Sequence, residues 1–214
     1  MRKIISLYRK CNKVESIFVF SLIKYLKYKW FFSKNITPHH SVTIKGVANI
    51  FSDFPLSIGM EYVGFSHKSD ITFLNICGRL QINGSYSIGR GCRFDIAEKA
   101  IVNIGKGGYI NVNSTFIIMH GLTIGDNCII SWGCQFLDED FHRIEYEGQK
   151  KVANEIVIGN NVWIGCGVKI YKGTRIPDGS VIAANSVVRG VFTKKNVLIG
   201  GHPAKIIKEK INWK

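Results

Sequence analysis

Acidic residues are scarce in this chain, and its cysteines never come in metal-binding pairs. Fifteen Asp and Glu stand against twenty-nine Lys and Arg, a formal net charge of +14 over 214 residues. Residues 1–40 hold nine basic residues and one acid, residues 189–214 hold seven and one, and the stretch between sums to zero. Basic ends suit anionic partners: phosphate-bearing cofactors, membrane surfaces or nucleic acid. No zinc-finger spacing or RNA-binding aromatic signature accompanies them, which argues against nucleic acid. The six cysteines, at 11, 77, 92, 128, 134 and 166, include no CxxC. A disulfide framework is not expected, and a reducing cytoplasm is. A spanning helix is missing from the N-terminus too: its longest uncharged run, Ser16 to Ile23, is far short of the ~20 residues a bilayer needs. Lys24, Lys27 and Lys29 then interrupt it. The segment reads as a basic amphipathic helix. It is expected to pack within its own assembly, with contact to the inner face of a membrane as the second reading.

What the chain has instead is a period of six. Ile158, Ile164, Ile170, Ile176, Ile182 and Val188 form one run, with Val162, Val168, Thr174, Ser180 and Ser186 four residues after the first five. Ile118, Ile124, Ile130 and Phe136 form a second, and Ile76, Ile82, Ile88, Phe94 and Ala100 a third. Ile104, Ile110 and Phe116 are shifted in phase, which predicts an irregular coil near 101–117. No helix or ordinary strand repeats every six residues over such a length. A coil with three flat faces does, one aliphatic side chain per face pointing inward. Turns such as Gly125-Asp126-Asn127, Gly159-Asn160-Asn161 and Pro177-Asp178-Gly179 tolerate left-handed backbone. Three sixes make about eighteen residues per coil, and stacked coils bury one aliphatic column. The expectation is an all-β solenoid over residues 41–200, preceded by the basic segment 1–40 and followed by a basic tail or helix, 201–214.

The run Ile158-Gly-Asn-Asn-Val-Trp-Ile-Gly165, further sixes and Gly200-Gly-His-Pro-Ala-Lys-Ile-Ile207 resemble the hexapeptide-repeat acyltransferases, which include galactoside and maltose acetyltransferases and capsule or O-antigen O-acetyltransferases. The resemblance is strong from about 118 to 208, repeat-like from 76 to 117, and absent from 1 to 75, where acceptor preference is expected to reside. It implies a left-handed β-helix, acetyl-CoA as donor, a sugar or polysaccharide acceptor, and a homotrimer with active sites between subunits.

Between Phe136 and Ile158 the period breaks by sixteen extra residues, an insertion at about 138–155. A solenoid accommodates this only as an external loop, and long ordered loops are usually functional. It carries six of the fifteen acids and one histidine, His142. An imidazole titrating near neutrality can take the proton of an attacking hydroxyl, and a carboxylate from Asp138 or Asp140 can orient the ring. The resemblance places the family's catalytic base at His142. His120 is the second candidate. Trp163, outward beside Ile164, is expected at the acceptor cleft or in subunit packing, and Trp132 is read as holding the same slot in its own coil. Gly165, Cys166, Ala183 and Ala184 offer small-residue surfaces for a pantetheine arm. Arg189, Lys194, Lys195 and Lys205 offer cations for its nucleotide end.

The favoured activity is O-acetylation of a surface polysaccharide or its precursor. Its rivals are N-acetylation of a nucleotide-linked amino sugar, a non-catalytic β-helix, and a zinc lyase. The last requires three histidine ligands, whereas the main repeats hold two. No metal is expected.

Overall fold

A computed structural model describes residues 2–142, 145, 147 and 153–213. Three parallel sheets wrap one column, as the period of six requires. The first face runs through Ile36–Pro38, Leu56–Ile58, Tyr86–Ile88, Tyr109–Ile110, Ile129–Ile130, Trp163–Ile164, Val181–Ile182 and Leu198–Gly201. The second runs from Val42–Lys45 to Val187–Val188, and the third from Ile50–Phe51 to Arg175–Ile176. The inward residues are buried, and on the second face Phe94, Phe116 and Phe136 stack with centroids 4.4 and 4.5 Å apart. The slot four residues after each is filled by buried Cys128, Cys134, Val162, Val168, Thr174, Ser180 and Ser186.

Turn chemistry sets the corner between the third and first faces. Asn127, Asn161 and Gly179 each take the left-handed conformation. The Asp126, Asn160 and Asp178 side chains accept the backbone N–H groups of Lys106, Asp126 and Asn160 at 3.0, 2.8 and 2.9 Å, tying each coil to the next.

Residues 101–117 are not irregular. Ile104, Ile110 and Phe116 pair in register with Ile82, Ile88 and Phe94. The phase shift comes from the corner between the second and third faces, where Ala97–Ala100 lengthen the turn while the strands keep their spacing. The solenoid begins at Ile36, a few residues before the expected start at 41, and its first coils show no period of six in the sequence. Ile36, Ile50, Leu56 and Ile58 already belong to its core. An excursion at 59–71, at the corner between the first and second faces, hides their period.

Two helices close the start of the column. In α1 (Arg2–Lys13), Leu7 and Cys11 with nearby Val14 pack against Tyr25, Phe18, Leu22 and Leu26 of α2 (Phe18–Phe32) and against Met60. Tyr28 and Phe32 join the main core, and Lys24 Nζ donates to the carbonyls of His40 and Val42, both at 2.6 Å. No helix among the described residues is long and apolar enough to cross a membrane. At the other end the expected tail or helix is a strand. Ala204–Lys208 turns back antiparallel onto Leu198–Gly201 and extends the first face.

Candidate active site

The insertion leaves the column at the corner between the second and third faces, after strand Gln135–Leu137 and before Ile156–Ile158. Its root carries three successive carboxylates, each tied in a different direction. Asp138 is fully buried and accepts the backbone N–H groups of Met119, His120 and Gly121 at 2.7, 2.8 and 2.8 Å. Glu139 Oε2 lies 2.8 Å from His120 Nε2, and its Oε1 accepts the N–H groups of Asp140 and Phe141 at 2.8 and 3.3 Å. Its carboxyl is held below the usual range, chiefly by the His120 contact. Asp140 reaches down the stack to Lys172 at 2.7 Å and Arg189 at 3.5 Å. The chain then turns through Phe141, in the left-handed region, and presents His142 exposed.

This corrects the pairing expected from sequence. Neither Asp138 nor Asp140 is hydrogen-bonded to His142 among the described residues. Asp138 has spent its lone pairs on backbone groups of the preceding coil, and Asp140 is neutralised by cations of later coils. The histidine that does meet a carboxylate is His120, whose Nε2 also lies 2.9 Å from Asn154 Nδ2 across the loop. Glu139 and Asn154 were missed because their partner is eighteen or more residues away along the chain. Contacts at that range follow only from knowing how coils stack. The loop's Arg143, Ile144, Tyr146 and residues 148–152 lie outside the described residues.

A second cluster forms at the corner between the first and second faces. Gly165 and half-buried Cys166 stack over Ala183 and exposed Ala184. The coils approach so closely that a Cβ on Gly165 would lie 2.7 Å from Ala184 N, so packing alone already demands this glycine. The column continues to Gly200, whose register partner on the returning strand is the exposed Lys205. A narrow shelf of small side chains thus ends in a cation. The other expected cations are placed otherwise: Arg189 stands at the loop's corner, Lys194 pairs with Glu209 at 2.7 Å, and Lys195 pairs with Asp178 at 2.8 Å.

The tryptophans do not share a slot. The register partner of Trp163 is Ile129, whereas Trp132 lies in the turn that follows, one coil above Cys166. Trp163 is partly exposed on the first face, donates to Ser131 Oγ at 3.2 Å, and has Trp213 with ring centroids 6.2 Å away. Trp132 is met edge-on by Phe65 of the 59–71 excursion at 5.5 Å. The excursion therefore reaches along this corner to the coil before the shelf, a contribution that its own sequence does not announce.

In one chain the two clusters are separated by the width of the second face, about five residues or roughly 16 Å at strand spacing. Loop histidine, Glu139, Asp140, Lys172 and Arg189 lie on one corner; Trp132, Gly165, Cys166, Ala183, Ala184 and Lys205 lie on the other. Among the described residues no three His, Cys, Asp or Glu side chains gather as a metal-binding group.

Residues 155–190 match the family model described as bacterial transferase hexapeptide (six repeats). Across the whole chain the protein is 38% identical to an uncharacterized 24.8 kDa protein in a cps region of Klebsiella pneumoniae, covering 96% of that protein. Among solved structures, the polysialic acid O-acetyltransferase OatWY is similar with a TM-score of 0.51 at 22% identity, over 84% of this chain and 90% of that one. AntD, an N-acyltransferase from Bacillus cereus, is similar with a TM-score of 0.55 at 15% identity, over 87% and 88%. The repeats, the uninterrupted column and the full-length relative agree: the chain belongs to the hexapeptide-repeat acyltransferase family, and its solenoid is that family's left-handed parallel β-helix.

Proposed function

We propose that this protein is an acetyl-CoA-dependent O-acetyltransferase acting on a sugar hydroxyl of a cell-surface polysaccharide or its precursor. The observation that carries the reading is the anchored root of the insertion. Three consecutive carboxylates fix residues 138–140 to coils above and below, so that exposed His142 projects from a rigid base. A surface histidine without a role needs no such support. In the proposed step the neutral imidazole of His142 takes the proton of the sugar hydroxyl as its oxygen bonds to the acyl carbon. The same ring returns that proton to the departing sulfur. Acetyl-CoA supplies the acyl group as a thioester. Its thin arm suits the shelf of Gly165, Cys166, Ala183 and Ala184, and exposed Lys205, register partner of Gly200, offers a cation for its nucleotide end.

Because base and shelf occupy different corners, the reading includes a homotrimer in which one copy's His142 and Arg189 face the shelf of its neighbour. Trp132, Trp163 and Phe65 would then border the acceptor. Two relatives support a glycan acceptor: one lies in a capsule (cps) region, and the other is a polysialic acid O-acetyltransferase. A second reading, N-acylation of a nucleotide-linked amino sugar, draws on the resemblance to the N-acyltransferase solved with dTDP and coenzyme A. Incubation with acetyl-CoA and each acceptor class, followed by thiol release and mass spectrometry of the product, separates them. Acetylated polysaccharide or oligosaccharide is expected; acetylation of amino sugars alone would reverse the choice.

A further inference from the structure

Helix α2 has two faces, and only one is used. Ser21, Tyr25 and Tyr28 are buried against the solenoid and α1. On the opposite side Val19, Phe20, Ile23, Lys27, Trp30 and Phe31 recur at helical spacing and all are exposed. The apolar members are not marginally so: Val19 is 58%, Ile23 57%, Trp30 69% and Phe31 80% exposed. Five of these six residues are hydrophobic, and a contiguous apolar stripe of this kind is uncommon on a surface that meets only water.

Cations frame the stripe. Lys27 lies within it and Lys29 beside it, Lys34 follows, and α1 adds Lys3, Arg9, Lys10 and Lys13, with no acid anywhere in either helix. A groove lined by Ile5, Ser6, Arg9, Lys10 and Lys13 runs along α1, where Ile4, Ile5 and Tyr8 are exposed too. Glu15, between the helices, is the single acid among the first forty residues.

Charge decides what covers this face. A second copy docked through a two-fold contact would set Lys27, Lys29 and the α1 cations against their own equivalents, where like charges destabilise the contact. An anionic lipid surface neutralises them while its acyl boundary takes up the aromatic and aliphatic side chains. Fifteen helical residues extend about 22 Å, too short to cross and suited to lying flat. We propose that α2, assisted by the cations of α1, docks this protein on the surface of an anionic phospholipid membrane with Phe20, Ile23, Trp30 and Phe31 inserted. This docking is independent of the acyl-transfer reading.

Co-sedimentation of the full chain with phosphatidylcholine vesicles containing one quarter phosphatidylglycerol tests it. Binding is expected that weakens with salt and is much lower on pure phosphatidylcholine. The variant Ile23→Ser, Trp30→Ser, Phe31→Ser should bind at least tenfold more weakly, with unchanged circular dichroism and elution volume. Because that variant alters three side chains, Lys27→Glu with Lys29→Glu provides a second arm and should lose most binding to the anionic vesicles. Absence of vesicle binding by the wild type, or binding by both variants equal to that of the wild type, overturns the proposal. So does a change in oligomeric state in the triple variant, which would assign the stripe to a contact between copies.

Discussion

Asp138 and His142 stand four residues apart in the same loop, yet their surroundings give them opposite kinds of work. Asp138 is a buried charge satisfied by three backbone donors, so removing it leaves Met119, His120 and Gly121 N–H groups unpaired. With charge-assisted bonds contributing about 1.5–3 kcal/mol, Asp138→Ala is expected to lower stability by about 3 kcal/mol. Chemical denaturation reads this directly, and an unchanged midpoint would contradict it. His142→Ala should do the reverse. Turnover is expected to fall by roughly 10²–10⁴, the usual contribution of a general base, while the melting temperature and calorimetric acetyl-CoA affinity stay near wild type. His120→Ala is the comparison that assigns the base. If it abolished turnover and His142→Ala did not, the His120–Glu139 pair would be the catalytic one. The sequence marked the acidic run and the histidine but misjudged what the acids hold. Spacing along a chain reveals neighbours within one coil, and Asp138 answers to a coil earlier in the stack.

At the scale of elements the reading from sequence was most reliable where the corners are short. From Ile158 to Val188 each strand with its corner takes six residues, and period, burial and register agree. Where a corner lengthens, as at 59–71 or 97–100, the strands persist but their arithmetic slips. The period of the first coils was therefore not read, and 101–117 was taken as irregular. The C-terminal strand was missed for another reason: Ala204–Lys208 has one buried residue and four exposed, a pattern without an inward face. The first coil also contains a titrating group. His39 is fully buried, and its pKa is pushed down to about 3 by burial first, then by the charges of His40, Arg90 and Lys24. Its folded value lies below the unfolded value near 6.5, so between these pH values the unfolded chain holds a proton that the folded chain lacks. Stability therefore falls as pH drops from about 6.5 toward 3. His39→Asn, which retains an acceptor for the Ser41 N–H, should remove this component. The slope of unfolding free energy against pH, measured between pH 4 and 6, is expected to be shallower than wild type by roughly 1.4 kcal/mol per unit. Parallel slopes would show that His39 is not the sensor.

Over the whole molecule, charge and site geometry both point outside a single chain. The basic ends foreseen from composition are real, but they serve different purposes. At the C-terminal end two lysines are occupied by Glu209 and Asp178, leaving Lys205 beside the small-residue shelf. Near the N-terminus the cations border an apolar stripe instead. The proposed catalytic base and the proposed donor shelf are a face apart, a distance no side chain bridges. A monomer can therefore hold each half of the site without completing it. This makes a prediction about mixed assemblies. His142→Ala removes the base, and Cys166→Trp fills the shelf, so each homogeneous variant should be inactive. Unfolded together and reassembled, some interfaces would join an intact His142 to an intact shelf from different copies. For a randomly mixed trimer formed from equal amounts, one interface in four is of this kind. Activity is therefore expected to recover to about a quarter of the refolded wild-type level, with a molecular mass by light scattering equal to three chains. If both variants assemble as trimers and their mixture stays inactive, base and shelf must meet within one chain, and the arrangement between copies is wrong.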